Sequence, residues 1–400
     1  MNRREFGRLA AASAALGFAG NGAWAADWSA TLAEASGQTV YFHAWGGDPK
    51  INDFITWVGG LAQDRYGVTL THVKLAATAD AVARVVAEKA TGTTEGAVDL
   101  IWINGENFAA MKGHDLLYGP FAEALPNWSL VDVTGKPATA TDFTLPTMGY
   151  ESPWAMAQLV FEYDTSRLAS PPRSIKALQA WAAANPGRFT YPQPPDYLGL
   201  TFLKQALYGL LPDPTILQAP AEVHYDTAAQ ALWAYLDALH PSLWRQAKAF
   251  PASEPALGQL LADAETDISF AFNPGRASAE IAAGNLANTV RTFVLDGGTI
   301  GNASFVAIPF NAKQAAAQVI ANLILDPEVQ ARAQDPATLG FLTVLNTAAL
   351  KPDDQARFAA LDLGAATLSP ADLGPALLEP HASWMTRISA DWVQRYGAAP

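Results

Sequence analysis

Val40-Tyr41-Phe42-His43-Ala44-Trp45-Gly46-Gly47-Asp48-Pro49-Lys50-Ile51-Asn52 is the stretch that decides the fold. Tyr41, Phe42, Ala44 and Trp45 give the apolar, aromatic-rich run of a buried strand. Gly46-Gly47 marks a turn, and Pro49 suits a helix entry because its missing N–H is not needed there. In open α/β sheets, ligands sit beyond the carboxyl ends of strands and face helix N-termini. The loop from Trp45 to Asp48 is therefore a candidate site as well as an ordinary strand-to-helix turn.

Working outward, Ile51, Phe54, Ile55, Val58, Leu61 and Ala62 recur at helical spacing, and Tyr66-Gly67 closes that helix. Val68, Leu70 and His72 alternate as a half-buried strand, and Thr78 is placed to cap a second helix. Val98 to Ile103 is the third strand and runs into Asn104-Gly105-Glu106-Asn107. This β-α-β-α-β order predicts a parallel, doubly wound sheet. The middle third reads as a second α/β unit, with helices opening at Ser174, Thr201, Thr227 and Ser253. Strands are expected at 157–164, 188–191, 267–272 and 290–295, and Ser304 to Pro309 leads back to an alanine-rich helix over 312–325.

The 400 residues are 50% hydrophobic and 16% charged, enough for large cores and for two domains. Cysteine is absent, which excludes disulfides, thiolate catalysis and cysteine-ligated metals. The formal charge of −13, with no basic run, argues against nucleic acid as a partner. Residues 1–25 read as a twin-arginine-type signal peptide. Arg3-Arg4 precedes an apolar stretch, and Ala23-Trp24-Ala25 fits a cleavage site. That segment holds three arginines and one glutamate, so its removal takes the charge from −13 to −15. No cysteine follows the apolar stretch, so no lipid anchor is expected there.

Four features in order resemble the extracellular solute-binding proteins of ABC importers. They are the export signal, the aromatic–Gly–Gly–acidic loop, the strand Leu159-Val160-Phe161-Glu162-Tyr163-Asp164, and a return strand followed by Leu325-Asp326-Pro327-Glu328-Val329-Gln330. Phe42-His43-Ala44-Trp45-Gly46-Gly47 and Trp102-Ile103-Asn104-Gly105-Glu106-Asn107-Phe108 look like the YnjB-like branch of that family. The resemblance implies a two-lobed α/β fold of the type II periplasmic-binding-protein kind, each lobe a doubly wound sheet, with crossing strands as a hinge. It places lobe 1 at 38–153 and 304–400, lobe 2 at 158–300, and the crossings near 154–157 and 301–303. It further implies a monomeric periplasmic subunit that hands a small solute to an inner-membrane permease, without a cofactor and without bond chemistry. Closure would follow from a solute that touches both lobes and so favours the closed form.

Strand ends and crossings supply the candidate ligand contacts. Lobe 1 offers Trp45, Gly46, Gly47, Asp48, Asn104, Glu106 and Asn107, and the first crossing Tyr150, Glu151 and Trp154. Lobe 2 offers Tyr191, Asp196, Tyr197, Phe272 and Asn273, and the return crossing Asn302 and Ser304. Aromatic faces beside carboxylates favour a cationic or amine-bearing solute, thiamine-like or polyamine-like. Carbohydrate is the alternative, because sugars use the same platforms. An exported hydrolase using Asp48 with Glu106 is the competing class. The histidines lack zinc-protease spacing, and neither a Gly-x-Ser-x-Gly elbow nor a phosphate loop occurs. Trp102, Phe161, Trp181, Trp233 and Trp244 read as packing residues, His43 as a core histidine, Glu106 as a complement to its helix dipole, and Asp196 as an N-cap.

Overall fold

The computed structural model describes residues 28–397, so the expected export signal lies outside the described residues. Strand β1 (Thr39–Trp45) enters helix α1 (Pro49–Tyr66) as the sequence implies. Asp48 caps α1 by accepting from Lys50 N at 2.7 Å, and Gly67 ends it in the left-handed conformation at φ 66°. Ile51, Phe54, Ile55, Val58 and Ala62 form its buried stripe. Next come β2 (Thr69–Leu75), α2 (Thr78–Ala90), β3 (Leu100–Ile103) and α3 (Glu106–Gly113). Thr78 is the first helical residue rather than the cap of α2, and its hydroxyl donates to Trp102 O at 3.3 Å.

A short hairpin, β4 (Thr141–Asp142) with β5 (Leu145–Pro146), precedes β6 (Glu151–Gln158) and β7 (Val160–Asp164). After α4 (Ile175–Ala184), α5 (Tyr197–Leu210), α6 (Tyr225–Leu239) and α7 (Glu254–Ala262) come β8 (Ile268–Ala271), α8 (Arg276–Ala282) and β9 (Val290–Phe293). The chain returns through β10 (Gly301–Ala307), α9 (Gln314–Ile324) and α10 (Pro327–Gln334). It then adds α11 (Pro352–Ala359), α12 (Pro370–Leu373) and α13 (Ala382–Tyr396). Residues 188–191 join no named strand, although Trp244 N donates to Phe189 O.

Two sheets organise two apolar cores. The first has the order β2-β1-β3-β10-β6, with β1 parallel to β2 and β3, and β10 antiparallel to β3 and β6. The second has the order β8-β7-β9, with β7 antiparallel to both neighbours, so the all-parallel winding of the first lobe's leading strands is not repeated. The first core joins Phe42, Phe54, Ile101, Phe108, Phe305 and Ile320, and the second joins Phe161, Phe189, Phe202, Phe270 and Phe293.

The lobes exchange chain at adjacent points. β6 belongs to the first sheet through Gln158 and β7 to the second from Val160, while Leu159 N donates to Ile300 O at 2.8 Å. Of the residues expected as crossings, 155–157 and 301–303 are paired strand in the first sheet, and Trp154 falls at its bulge. The switch falls a few residues later on the way out and a few earlier on the way back. Residues 304–400, expected in lobe 1, pack with more than one core. Leu350 packs in the first core, Ala366 lies with Ala277 and Val290, and Trp384, Ile388 and Trp392 of α13 sit in the second. Those two tryptophans are at most 1% exposed, and their burial ties the C-terminal helix to lobe 2.

Candidate functional site

The loop after β1 is shaped by its glycines. Gly46 N donates to Leu75 O, and a Cβ there would stand 2.6 Å from Lys74 Cβ. The Trp45 ring lies over Gly47, where a Cβ would meet it at 2.5 Å. Trp45 remains 43% exposed, a large aromatic at the rim of the first lobe. The loop after β3 turns through Gly105 at φ 60°, and its N–H donates to Asp142 Oδ2 at 2.5 Å. This brings the β4–β5 hairpin to the strand ends, with Phe143 against Gly105. Phe143 and Thr144 hold φ values of 44° and 78°, a region that non-glycine residues seldom adopt.

Opposite this hairpin stands α5. Lys204 and Glu379 form an ion pair at 2.5 Å, with side chains 1% and 2% exposed. The Lys204 ammonium lies 5.3 Å from the centre of the Phe143 ring and 5.1 Å from that of Tyr197. Tyr197 donates to Glu379 Oε1 at 2.7 Å, and Asn302 Nδ2 donates to the Tyr197 hydroxyl at 2.8 Å. Phe272 meets Tyr197 edge-on at 5.4 Å. Lobe 1, lobe 2 and the returning tail therefore converge on one buried polar junction.

The junction is rich in carboxylates. Asp142 Oδ1 and both oxygens of Glu151 are buried with no hydrogen-bond partner among the described residues. Desolvation pushes the Asp142 carboxyl up to about 8, opposed by the Gly105 N–H and reinforced by the charge of Glu379. Burial likewise holds Glu151 well above the usual carboxylate range, with Asp142 adding to the shift and Lys112 opposing it. Unpaired buried carboxylates are costly. Among the described residues, no three His, Asp or Glu side chains converge closely enough to hold a metal ion.

The expected contacts divide into groups. Tyr197, Asn302 and Glu151 meet at or beside the junction, and Phe272 adjoins it. Trp45, Gly46, Gly47, Asp48, Asn104, Glu106 and Asn107 occupy the strand-end loops of lobe 1. Glu106 is exposed and Asn104 and Asn107 are half-buried. Tyr150 is half-buried, its ring 5.6 Å from the Lys112 ammonium. Asp196 caps α5 by accepting from Gly199 N at 3.0 Å, and desolvation raises its carboxyl. Asn273 spends its amide on Leu339 O and Gly275 N, and Ser304 is half-buried at the β10 bulge.

Two of the expected contacts lie within the cores. Trp154 is 3% exposed and packs among Phe54, Trp102 and Phe341 in the first core. Tyr191 is fully buried in the second, its hydroxyl bound by His240 and Trp392. Both rings are enclosed by neighbouring elements of their own cores. Among the packing tryptophans, Trp233 is buried, whereas Trp244 is half-buried with its Nε1 donating to Glu265 Oε2 at 2.6 Å.

Asp142, Phe143, Lys204 and Glu379 were missed by sequence reasoning. Only Lys204 carried a signal, as the single charge inside the apolar run Leu198 to Leu207. A lysine there must be paired if it faces inward. Asp142, Phe143 and Glu379 stand in loop-like sequence with no pattern to separate them from surface residues.

Residues 61–360 match the family described as bacterial extracellular solute-binding protein. The chain is 45% identical over 376 residues to Protein YnjB of Escherichia coli (strain K12), across 93% of this chain and 95% of that one. Among solved structures it resembles the spermidine/putrescine ABC transporter substrate-binding protein PotD of Streptococcus pneumoniae. The TM-score is 0.58 at 14% identity, over 90% of this chain and 98% of that one. The periplasmic binding protein AfuA of Actinobacillus pleuropneumoniae, with fructose-6-phosphate bound, gives 0.58 at 17% identity over 91% and 100%. At such identities the likeness establishes the type II binding-protein fold and leaves the solute open.

Proposed function

This chain belongs to the bacterial extracellular solute-binding proteins, and from that premise we propose that it is the periplasmic subunit of an ABC importer for a small organic cation. The solute class is amine-bearing, polyamine-like or thiamine-like. The observation that carries this reading is the buried carboxylate set at the lobe junction, Asp142 and Glu151 with unpartnered oxygens, and Glu379 close enough to Asp142 to raise its carboxyl. The Phe143 and Tyr197 rings supply faces that attract cations. PotD, named for spermidine and putrescine, has the same fold and lends support. Closure of the two lobes on the solute and presentation of the closed form to a membrane permease complete the proposed cycle. In this reading the twin-arginine segment over 1–25 directs export, and the lobes divide near Leu159 and Ile300.

Thermal unfolding of the mature protein with putrescine, spermidine, thiamine and a panel of sugars tests it. A cation at one hundred times its dissociation constant stabilises by about 2.7 kcal/mol, a readily measured rise in melting temperature. Stabilisation by sugars alone would transfer the protein to the carbohydrate-binding class, and turnover of a stabilising compound would make it an enzyme.

A further inference from the structure

The Lys204 ammonium is surrounded by groups that recognise a free alkylammonium ion. It has one carboxylate at 2.5 Å and two aromatic faces at 5.1 and 5.3 Å. The carboxylate and one ring are themselves held in place, since Tyr197 donates to Glu379 and Asn302 donates to Tyr197. The cage is assembled from separate parts of the molecule. Phe143 comes from the lobe 1 hairpin, Tyr197 and Lys204 from α5 of lobe 2, and Glu379 from the segment before α13. Phe143 reaches its place on a backbone in the left-handed region, a conformation retained only where surrounding structure enforces it.

A structural ion pair alone would need none of this aromatic lining. It would also leave unexplained why Asp142, 2% exposed, keeps an unpartnered oxygen nearby. The junction offers more acceptors than one lysine satisfies.

We propose that Phe143, Tyr197 and Glu379 form an alkylammonium subsite, and that Lys204 fills it as a built-in competitor of the solute's own primary amine. This rests on the reading of the junction as a cation site. Lys204 bridges the lobes by placing a lobe 2 cation on a lobe 1 ring, and the solute's amine exchanges with it for Glu379. The class selected is a primary alkylammonium, whose three N–H groups can reach both Glu379 and a neighbouring carboxylate. A quaternary ammonium has no N–H to offer.

The test is chemical complementation in the mature chain. Lys204→Ala removes three methylenes and the ammonium, a volume that n-propylammonium restores. The variant is expected to melt below wild type. Millimolar n-propylammonium should raise the variant's melting temperature and show saturable calorimetric binding, while wild type shows neither. Neutral n-propanol and tetramethylammonium should be ineffective. Lys204→Gln keeps a donor for Glu379 and serves if the alanine variant does not fold; it too should bind n-propylammonium more tightly than wild type. No binding to either variant, or equal rescue by n-propanol, overturns the proposal. Putrescine binding to wild type is measured in parallel. If putrescine binds but n-propylammonium never does, the cation reading stands and the competitor role of Lys204 falls. If n-propylammonium complements the variant while no amine binds wild type, the subsite stands, and the competitor role of Lys204 falls together with the transport reading.

Discussion

Asp142→Asn probes the electrostatic tension at the junction. The Asp142 carboxyl moves from its ordinary 3.8 up to about 8, chiefly because burial disfavours its charge. A group whose pKa is raised by folding stabilises the folded state fully below its unfolded value and loses that contribution as pH rises through the folded value. The window therefore runs from about pH 4 to about pH 8. About four units at about 1.4 kcal/mol each amount to a loss on the order of 5 kcal/mol across it. Glu151 shifts in the same direction and interacts with Asp142, so the two titrate as a coupled set. Glu379 adds negative charge from the tail and Lys112 opposes the shift of Glu151. Asparagine cannot ionise, yet it keeps an oxygen for the Gly105 N–H. Urea unfolding at fixed ionic strength should give a wild-type midpoint that falls from pH 4 to pH 8. The Asp142→Asn curve should be flatter, meeting wild type near pH 4 and lying above it at pH 8. A saturating organic cation should shrink the difference, because it favours the ionised carboxyl. Parallel curves, or a variant less stable than wild type at pH 8, would refute the reasoning.

The loop after β1 can be tested with two substitutions that spare the fold. Asn caps helices as well as Asp, and the half-exposed Trp45 ring lies over Gly47. Trp45→Ala and Asp48→Asn should therefore each change unfolding free energy by less than about 0.5–1 kcal/mol while weakening putrescine binding by calorimetry; unchanged affinity in both reduces the loop to a turn. Within lobe 2, Arg276 Nη1 donates to both oxygens of the fully buried Glu162 at 3.0 and 2.9 Å. Arg276→Met should cost about 3–5 kcal/mol in urea unfolding by stranding that charge, and adding Glu162→Gln should recover most of the loss.

What the sequence alone determined is local and periodic. From Thr39 to Ile103 the order of strands and helices follows from apolar spacing, Pro49 and Gly67, because each signal acts within a few residues. The order of motifs also carried the family and the two-lobed fold. Side-chain alternation in a strand does not say which face is covered, so Trp154 and Tyr191 could be read as cleft residues until the tertiary structure enclosed both. The place of the C-terminal helix was hidden for a related reason, since only the packing of Trp384 and Trp392 decides which core takes α13. The same limit applied to the site. Lys204 and Glu379 are 175 residues apart, and Gly105 and Asp142 are 37 apart. Sequence spacing carries no information at those separations. The Trp45–Asp48 loop was legible because strand, turn and helix are consecutive, whereas the carboxylate junction exists only because the folded lobes bring distant segments together and exclude water from between them.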